Sequence, residues 1–381
     1  MDSGRIRLEG DIRLSVRWDG IRVHQVAVHS SRPLLAASIL EGKRPADAAG
    51  LVPRLFALCA GAQRACSEAA LREAAGDGGD DELAWRRELD VITECALESL
   101  WRLTLDLPQT LGQDPEPMAL SAVRRAFAAA RLAGTGEAWR DAAATLRMAL
   151  DRIVLGQHFE SWLQTQPLEG LERWLGCGRT STARRMRMLW RHDWGASGVP
   201  LMPSEIRVPS VMALAPLLRT DPDFPRRPSW EGGPRETGAL AREQHHPLIA
   251  ALLASRGTTV AVRWLARLIE LTRLALTLER MGDERRPLGA VGSLRVAPGV
   301  GMAWVENARG LLIHWVEMGG ERIARYVIVA PTEWNFHPDG PFVGALTGME
   351  VPDAKTLERR ARLLAQALDP CVAYRIEVDH A

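Results

Sequence analysis

From the start of the chain, apolar residues fall on alternate positions: Ile6 and Leu8, then Ile12, Leu14, Val16 and Trp18. A period of two puts one face of a strand against a core. Asp19-Gly20 interrupts the alternation, and Ile21 and Val23 resume it. An Asp-Gly step between such runs predicts a hairpin, because glycine supplies the positive φ of a tight turn. A second hairpin is predicted where residues 312–316 and 323–329 flank Gly319-Gly320. Between the two, the pattern becomes helical. Residues 53–75 and 82–106 are rich in Ala, Leu, Glu and Arg around a Gly/Asp break at 76–81. Residues 118–133, 137–164 and 168–176 continue in that manner. The clearest helix is 258–281, with Val262, Leu265, Ile269, Thr272 and Leu276 on one face and Arg263, Arg267 and Glu270 on a more polar one. Residues 198–236 hold prolines from Pro200 to Pro234. Proline removes a backbone donor and fixes φ, so this stretch is irregular, and its Trp230 favours a packed loop over a linker. The expected fold class is α+β, predominantly α. It is one domain over 1–381 whose ends are expected to meet, with a hairpin in 1–30, a helical body in 50–280 and a hairpin with a tail in 300–381.

A chain of 381 residues is long enough to bury a large core. Its net charge of +1 gives no bulk attraction to nucleic acid or to an acidic membrane surface. No apolar run approaches the ~20 residues that span a bilayer, so no membrane insertion is expected. No apolar signal core follows Met1-Asp2-Ser3-Gly4-Arg5, which makes a cytoplasmic location the expectation. The cysteines are Cys59, Cys66, Cys95, Cys177 and Cys371, an odd number at wide spacings that does not read as a disulfide framework. Cys66, Cys95 and Cys177 read as small core or surface residues. His245-His246 are neighbours, and neighbours in a helix or strand point apart, so they do not read as a metal pair. Arg184-Arg185-Met186-Arg187 reads as a solvated helix face.

Cys59 and Cys371 stand in different contexts. Asp369-Pro370-Cys371-Val372-Ala373-Tyr374-Arg375-Ile376-Glu377 resembles the D-P-C-x-x-C-x-x-H tail of nickel–iron hydrogenase large subunits, with Tyr374 for the second cysteine and Glu377 for the histidine. Near the other end, residues 54–63 resemble that family's R-x-C-x-x-C-x-x-x-H, with Phe56 for the first cysteine and Gln63 for the histidine. Further segments resemble the family in the same order. They are Leu8-Glu9-Gly10-Asp11-Ile12-Arg13, Gly42-Lys43-Arg44-Pro45-Ala46-Asp47-Ala48, residues 236–242, residues 306–315 and Ala330-Pro331-Thr332-Glu333-Trp334-Asn335. Each match is weak singly, and the ordered set is strong.

The resemblance implies a large-subunit-like fold. In the family four thiolates hold nickel, and two of these bridge to an iron that carries two cyanides and one carbon monoxide. Phe56 and Tyr374 cannot replace two soft ligands, so no nickel is expected. The family's proton-relay glutamate aligns with Ala37, so hydrogen turnover is not expected and the chain is read as no enzyme. The iron half of the pocket is retained. By resemblance, Arg309 and Thr332 would donate hydrogen bonds to cyanides, Leu312 and Pro331 would line the carbon monoxide site, and Cys59 and Cys371 would grip the iron. A guanidinium is a well-matched donor for an anionic acceptor. The combination is similar to hydrogenase expression/formation proteins of the HupK (HoxV) type. That type implies a scaffold for the iron–dicyano–carbonyl fragment. Its partners would be the hydrogenase maturation proteins that load the iron ligands and the apo large subunit, with no nucleic acid. Two other readings stay open: a cofactor-free chaperone that mimics the large subunit, and a quinone-reductase-type complex subunit, against which the retained Cys371 argues.

Overall fold

The structure is a computed structural model and describes residues 10–31, 35–77, 80–163 and 167–380. Ile6, Leu8 and Glu9 lie outside these residues. The strands are β1 (Asp11–Trp18), β2 (Val23–Ser30), β3 (Val291–Ala297), β4 (Val300–Asn307), β5 (Gly310–Gly319), β6 (Arg322–Val329) and β7 (Ala373–His380). The helices that build the site are α1 (Ala60–Ala75), α2 (Asp81–Trp101), α3 (Val260–Glu284), α4 (Pro331–Asn335) and α5 (Ala354–Leu368).

The first hairpin forms where the alternation places it. Ile12, Leu14, Val16 and Trp18 of β1 are buried, and the Asp19 carboxylate accepts from the backbone N–H of Ile21 and Arg22 in the turn. A third strand completes this sheet. β7 pairs in parallel with the other edge of β1, from Asp11 beside Ala373 to Trp18 beside His380. The two ends of the described chain therefore lie in one sheet.

The second sheet is larger than the sequence suggests. It is an antiparallel meander in the order β3-β4-β5-β6, of which the pattern gave only β5 and β6. β4 and β5 are buried on both faces, so they read as apolar runs without alternation. Ala303, Val305, Leu312 and Val316 face α1, whereas Met302, Trp304, Leu311, Ile313 and Trp315 face the segment around Met202, Phe224 and Trp230. The proline-rich stretch thus forms a packed layer over the sheet. Helix α1 lies so close that a Cβ on Gly301 would meet the Ala70 carbonyl at 2.1 Å.

The long central helix α3 runs through the molecule, and residues 260–272 are buried all round it. The predicted helix 137–164 breaks at a π turn, Leu150–Leu155, and at Gly156, and two others are interrupted nearer the site. The stretch 53–75 breaks at Phe56 and at a 3-10 turn, Ala57–Cys59, before α1 begins. The stretch 82–106 is helical, but its end, Arg102–Asp106, winds into a π turn ahead of Pro108. Both irregularities fall at the site, as such departures often do. Among the described residues no helix is long and apolar enough to cross a membrane.

Candidate functional site

Arg309 sits at the tip of the β4–β5 hairpin, where Asn307 pairs with Gly310. The Asn307 side chain accepts from the N–H of Arg309 (2.8 Å) and of Gly310 (3.2 Å), which folds the turn. Gly310 has φ +127°, and a Cβ there would meet Thr237 Oγ1 at 2.5 Å, so only glycine fits. Asn335 of α4 completes the clamp. Its amide donates to the carbonyls of Arg309 (3.2 Å) and Leu368 (3.1 Å), and its oxygen accepts from Thr237 N (2.9 Å).

The Arg309 side chain is 1 % exposed. Nη2 donates to Glu98 (2.7 Å), Nη1 donates to the Leu58 carbonyl (3.2 Å), and Nε lies 3.5 Å from Asp369 without a well-aligned hydrogen bond. Burial works against this cation, but Asp369, Glu98 and the thiols of Cys59 and Cys371 outweigh it and raise the pKa above the ordinary arginine value. Both cysteines are thus within electrostatic reach of one guanidinium.

Cys371 follows the end of α5. The chain leaves that helix through Asp369, which is buried with φ +56°, and through Pro370. Asp369 faces three guanidiniums: Arg102 (2.8 Å), Arg267 (3.3 Å) and Arg309 (3.5 Å). Burial would raise its pKa, but these cations win and hold it below the usual carboxylate range. Thr332, in the first turn of α4, brackets Cys371. Its hydroxyl donates to the sulfur (2.9 Å) and accepts from the Cys371 N–H (3.0 Å). Cys59 is 4 % exposed and closes the 3-10 turn ahead of α1.

The structure therefore brings Arg309, Thr332, Cys371 and the Cys59 turn around one buried centre. Pro331 is buried in the first turn of α4. Leu312 is buried on the sheet face turned to α1, in the cluster that holds Ala62 and Tyr326. Phe56 packs against this same cluster, and Tyr374 packs against the helical core. Gln63 Oε1 accepts from His314 Nε2 at 2.9 Å, and His314 Nδ1 meets the Tyr326 hydroxyl at 2.7 Å, so His314 is a buried structural histidine. Cys66 and Cys95 are buried, and Cys177 is exposed. Among the described residues no group of three or more His, Cys, Asp or Glu is placed to hold a metal. The donor set at the centre is thus two soft sulfurs, a hydroxyl and a guanidinium. The Glu98 and Asp369 carboxylates already flank the guanidinium.

Sequence reasoning missed the carboxylates of α2. Glu98 binds Arg309, and Glu94 accepts from the N–H of Gly61 (2.7 Å) and Ala62 (3.3 Å). Two acids four residues apart, on either side of Cys95 within a buried helix face, were the available signal. Arg102, Arg267 and Asn335 were legible only as motif neighbours or helix residues.

Residues 256–376 match the family model of nickel-dependent hydrogenases. The fold is that of a hydrogenase large subunit: the Ni-Fe-Se hydrogenase of Desulfomicrobium baculatum superposes with a TM-score of 0.62 at 16% identity, over 96% of this chain and 97% of that one. The hydrogenase expression/formation protein HoxV of Cupriavidus necator is 34% identical over 366 residues, which is 92% of each chain. HupK of Rhizobium leguminosarum bv. viciae is 31% identical over 98% of this chain and 97% of its own. On that similarity, spread over nearly its whole length, the chain belongs to the HoxV/HupK family of hydrogenase expression/formation proteins.

Proposed function

We propose that this chain serves hydrogenase maturation as a non-enzymatic scaffold, which holds the iron–dicyano–carbonyl fragment between Cys59 and Cys371 and passes it to the apo large subunit. The family relation supports the role in maturation. The scaffold role rests on one observation: the buried Arg309 ties two distant segments together, donating to the Leu58 carbonyl beside Cys59 and lying 3.5 Å from Asp369, two residues before Cys371. Each residue has a task. The sulfurs of Cys59 and Cys371 bind the iron as thiolates. The Thr332 hydroxyl, which now donates to Cys371, steadies that thiolate or turns to a cyanide nitrogen. Arg309 keeps N–H donors for the other cyanide, Nε among them. Pro331 and Leu312 keep water from the carbon monoxide. The fragment arrives from the maturation proteins that load cyanide and carbon monoxide, and with two thiolates in place of four the chain has no seat for nickel.

The test is an infrared spectrum of protein purified without oxygen from cells that make the full maturation set. Cyanide and carbon monoxide stretches are expected, and they should vanish in Cys371→Ala. A blank window in protein that still binds the apo large subunit or the loading complex would sink the scaffold and favour a cofactor-free mimic.

A further inference from the structure

Cys59 lies in a short 3-10 turn, where its N–H donates to the Phe56 carbonyl at 3.2 Å. It caps α1 without any side-chain cap bond, its backbone is non-helical (φ −139°, ψ 40°), and its neighbour Leu58 is 46% exposed. The first N–H groups of a helix have no partner within it and need one from outside. Here the partner comes from another helix. Glu94 of α2 takes the N–H of Gly61 at 2.7 Å and that of Ala62 at 3.3 Å. The contact is close enough that a Cβ on Gly61 would meet Glu94 Oε2 at 2.9 Å. Burial pushes the Glu94 carboxyl up to about 7, against the pull of the Gly61 and Ala62 donors and of Arg309. A carboxyl in so costly a place is held there by those donors.

The other end of the turn is held as well. Arg309 donates to the Leu58 carbonyl at 3.2 Å, and Arg309 itself is fixed by Glu98 at 2.7 Å. Glu94 and Glu98 are one helical turn apart on α2, so they share a face. One helix therefore registers both the arginine and the cysteine turn.

We infer that Glu94 is a positioning residue, which sets the Cys59 sulfur at its distance from Arg309 and so tunes whatever the two of them hold. This rests on Cys59 and Arg309 being part of the iron-fragment site. Glu94 touches neither the fragment nor the sulfur in this role. It acts through Gly61 and Ala62, and α2 acts as a ruler between the two halves of the centre.

Two measurements test it, one of which needs no cargo. In metal-free protein, iodoacetamide labelling of each cysteine is followed by mass spectrometry for the parent chain, Glu94→Gln and Glu94→Ala. Cys59 should label about tenfold faster in Glu94→Ala, because labelling follows the opened population of the turn. Glu94→Gln, which keeps one acceptor, should fall between, and the buried Cys66 should not change. In iron-loaded protein, Glu94→Gln should shift or broaden the cyanide bands while keeping them. If Glu94→Ala does not fold, Gly61→Ala displaces the carboxylate from the other side and should raise Cys59 labelling alike. Unchanged Cys59 labelling in both Glu94→Gln and Gly61→Ala would overturn the proposal. A parent chain that never shows cyanide bands would instead defeat the scaffold reading, and the labelling result would still decide whether Glu94 holds the turn.

Discussion

Asp369 shows what a single residue does here. One carboxylate, almost fully buried, is shared by Arg102, Arg267 and Arg309. Arg267 also donates to the carbonyls of Gln366 and Ala367 at the end of α5. Removal of the charge leaves buried cations without their counter-ion, which typically costs about 3–5 kcal/mol. Asp369→Asn keeps the size and tolerates the positive φ, so it isolates the charge. We expect it to lower the denaturant midpoint strongly at unchanged slope; a loss below ~1 kcal/mol would mean that Glu98 and Asp106 compensate. At this scale the sequence yields the motif residues. Cys59, Arg309, Thr332 and Cys371 were each legible, because each stands in a recognisable local string. Their partners were not. Glu94, Glu98 and Arg102 look like ordinary charged residues of an amphipathic helix, and only tertiary packing decides that they face inward.

Among the elements, the meander is the instructive case. Alternation revealed β1 and β2 because one face of that hairpin is polar. It failed for β4, where Met302 and Trp304 face one layer and Ala303 and Val305 the other. β5 hides a polar side chain in that double burial. His314 is inaccessible, and burial depresses its pKa to about 3. The unfolded chain takes up this proton near the usual histidine value of about 6.5, and the folded chain refuses it. Unfolded protein therefore binds more protons between these values, and stability falls as pH drops from 6.5 towards 3. The slope that this one group contributes is at most about 1.4 kcal/mol per pH unit. Urea titrations across that window should show it, and His314→Asn should flatten the profile while lowering stability at pH 7. An identical slope in the variant would assign the acid lability to other groups.

For the whole molecule, family and fold class were legible because damaged motifs still occur in the family's order. That the two ends meet was legible in the motifs placed near both of them, but the means was not, since parallel pairing of β1 with β7 leaves no local trace. Tyr374, Ile376 and Val378 of β7 turn towards the core, and Arg375, Glu377 and Asp379 turn outwards. Ile376 lies beside the fully buried Leu14. Ile376→Asp places a charge on the inner face and should cost roughly 2–4 kcal/mol. We expect Cys371, which lies two residues before the first residue of the strand, to label faster with iodoacetamide in that variant; equal labelling would show that Thr332 and Asp369 hold it without β7.

The same parallel pairing bears on the order of events during folding. Asp11 meets Ala373, so this contact closes a loop that contains almost the entire chain. Such closure is entropically late and slow, whereas the helical contacts of the body are local and early. The sulfur of Cys371 is thus put in place after the body has formed, when the last strand zips along the first. On the scaffold proposal, a nascent or half-folded chain has a Cys59 turn without its counterpart and is expected not to capture the iron fragment prematurely.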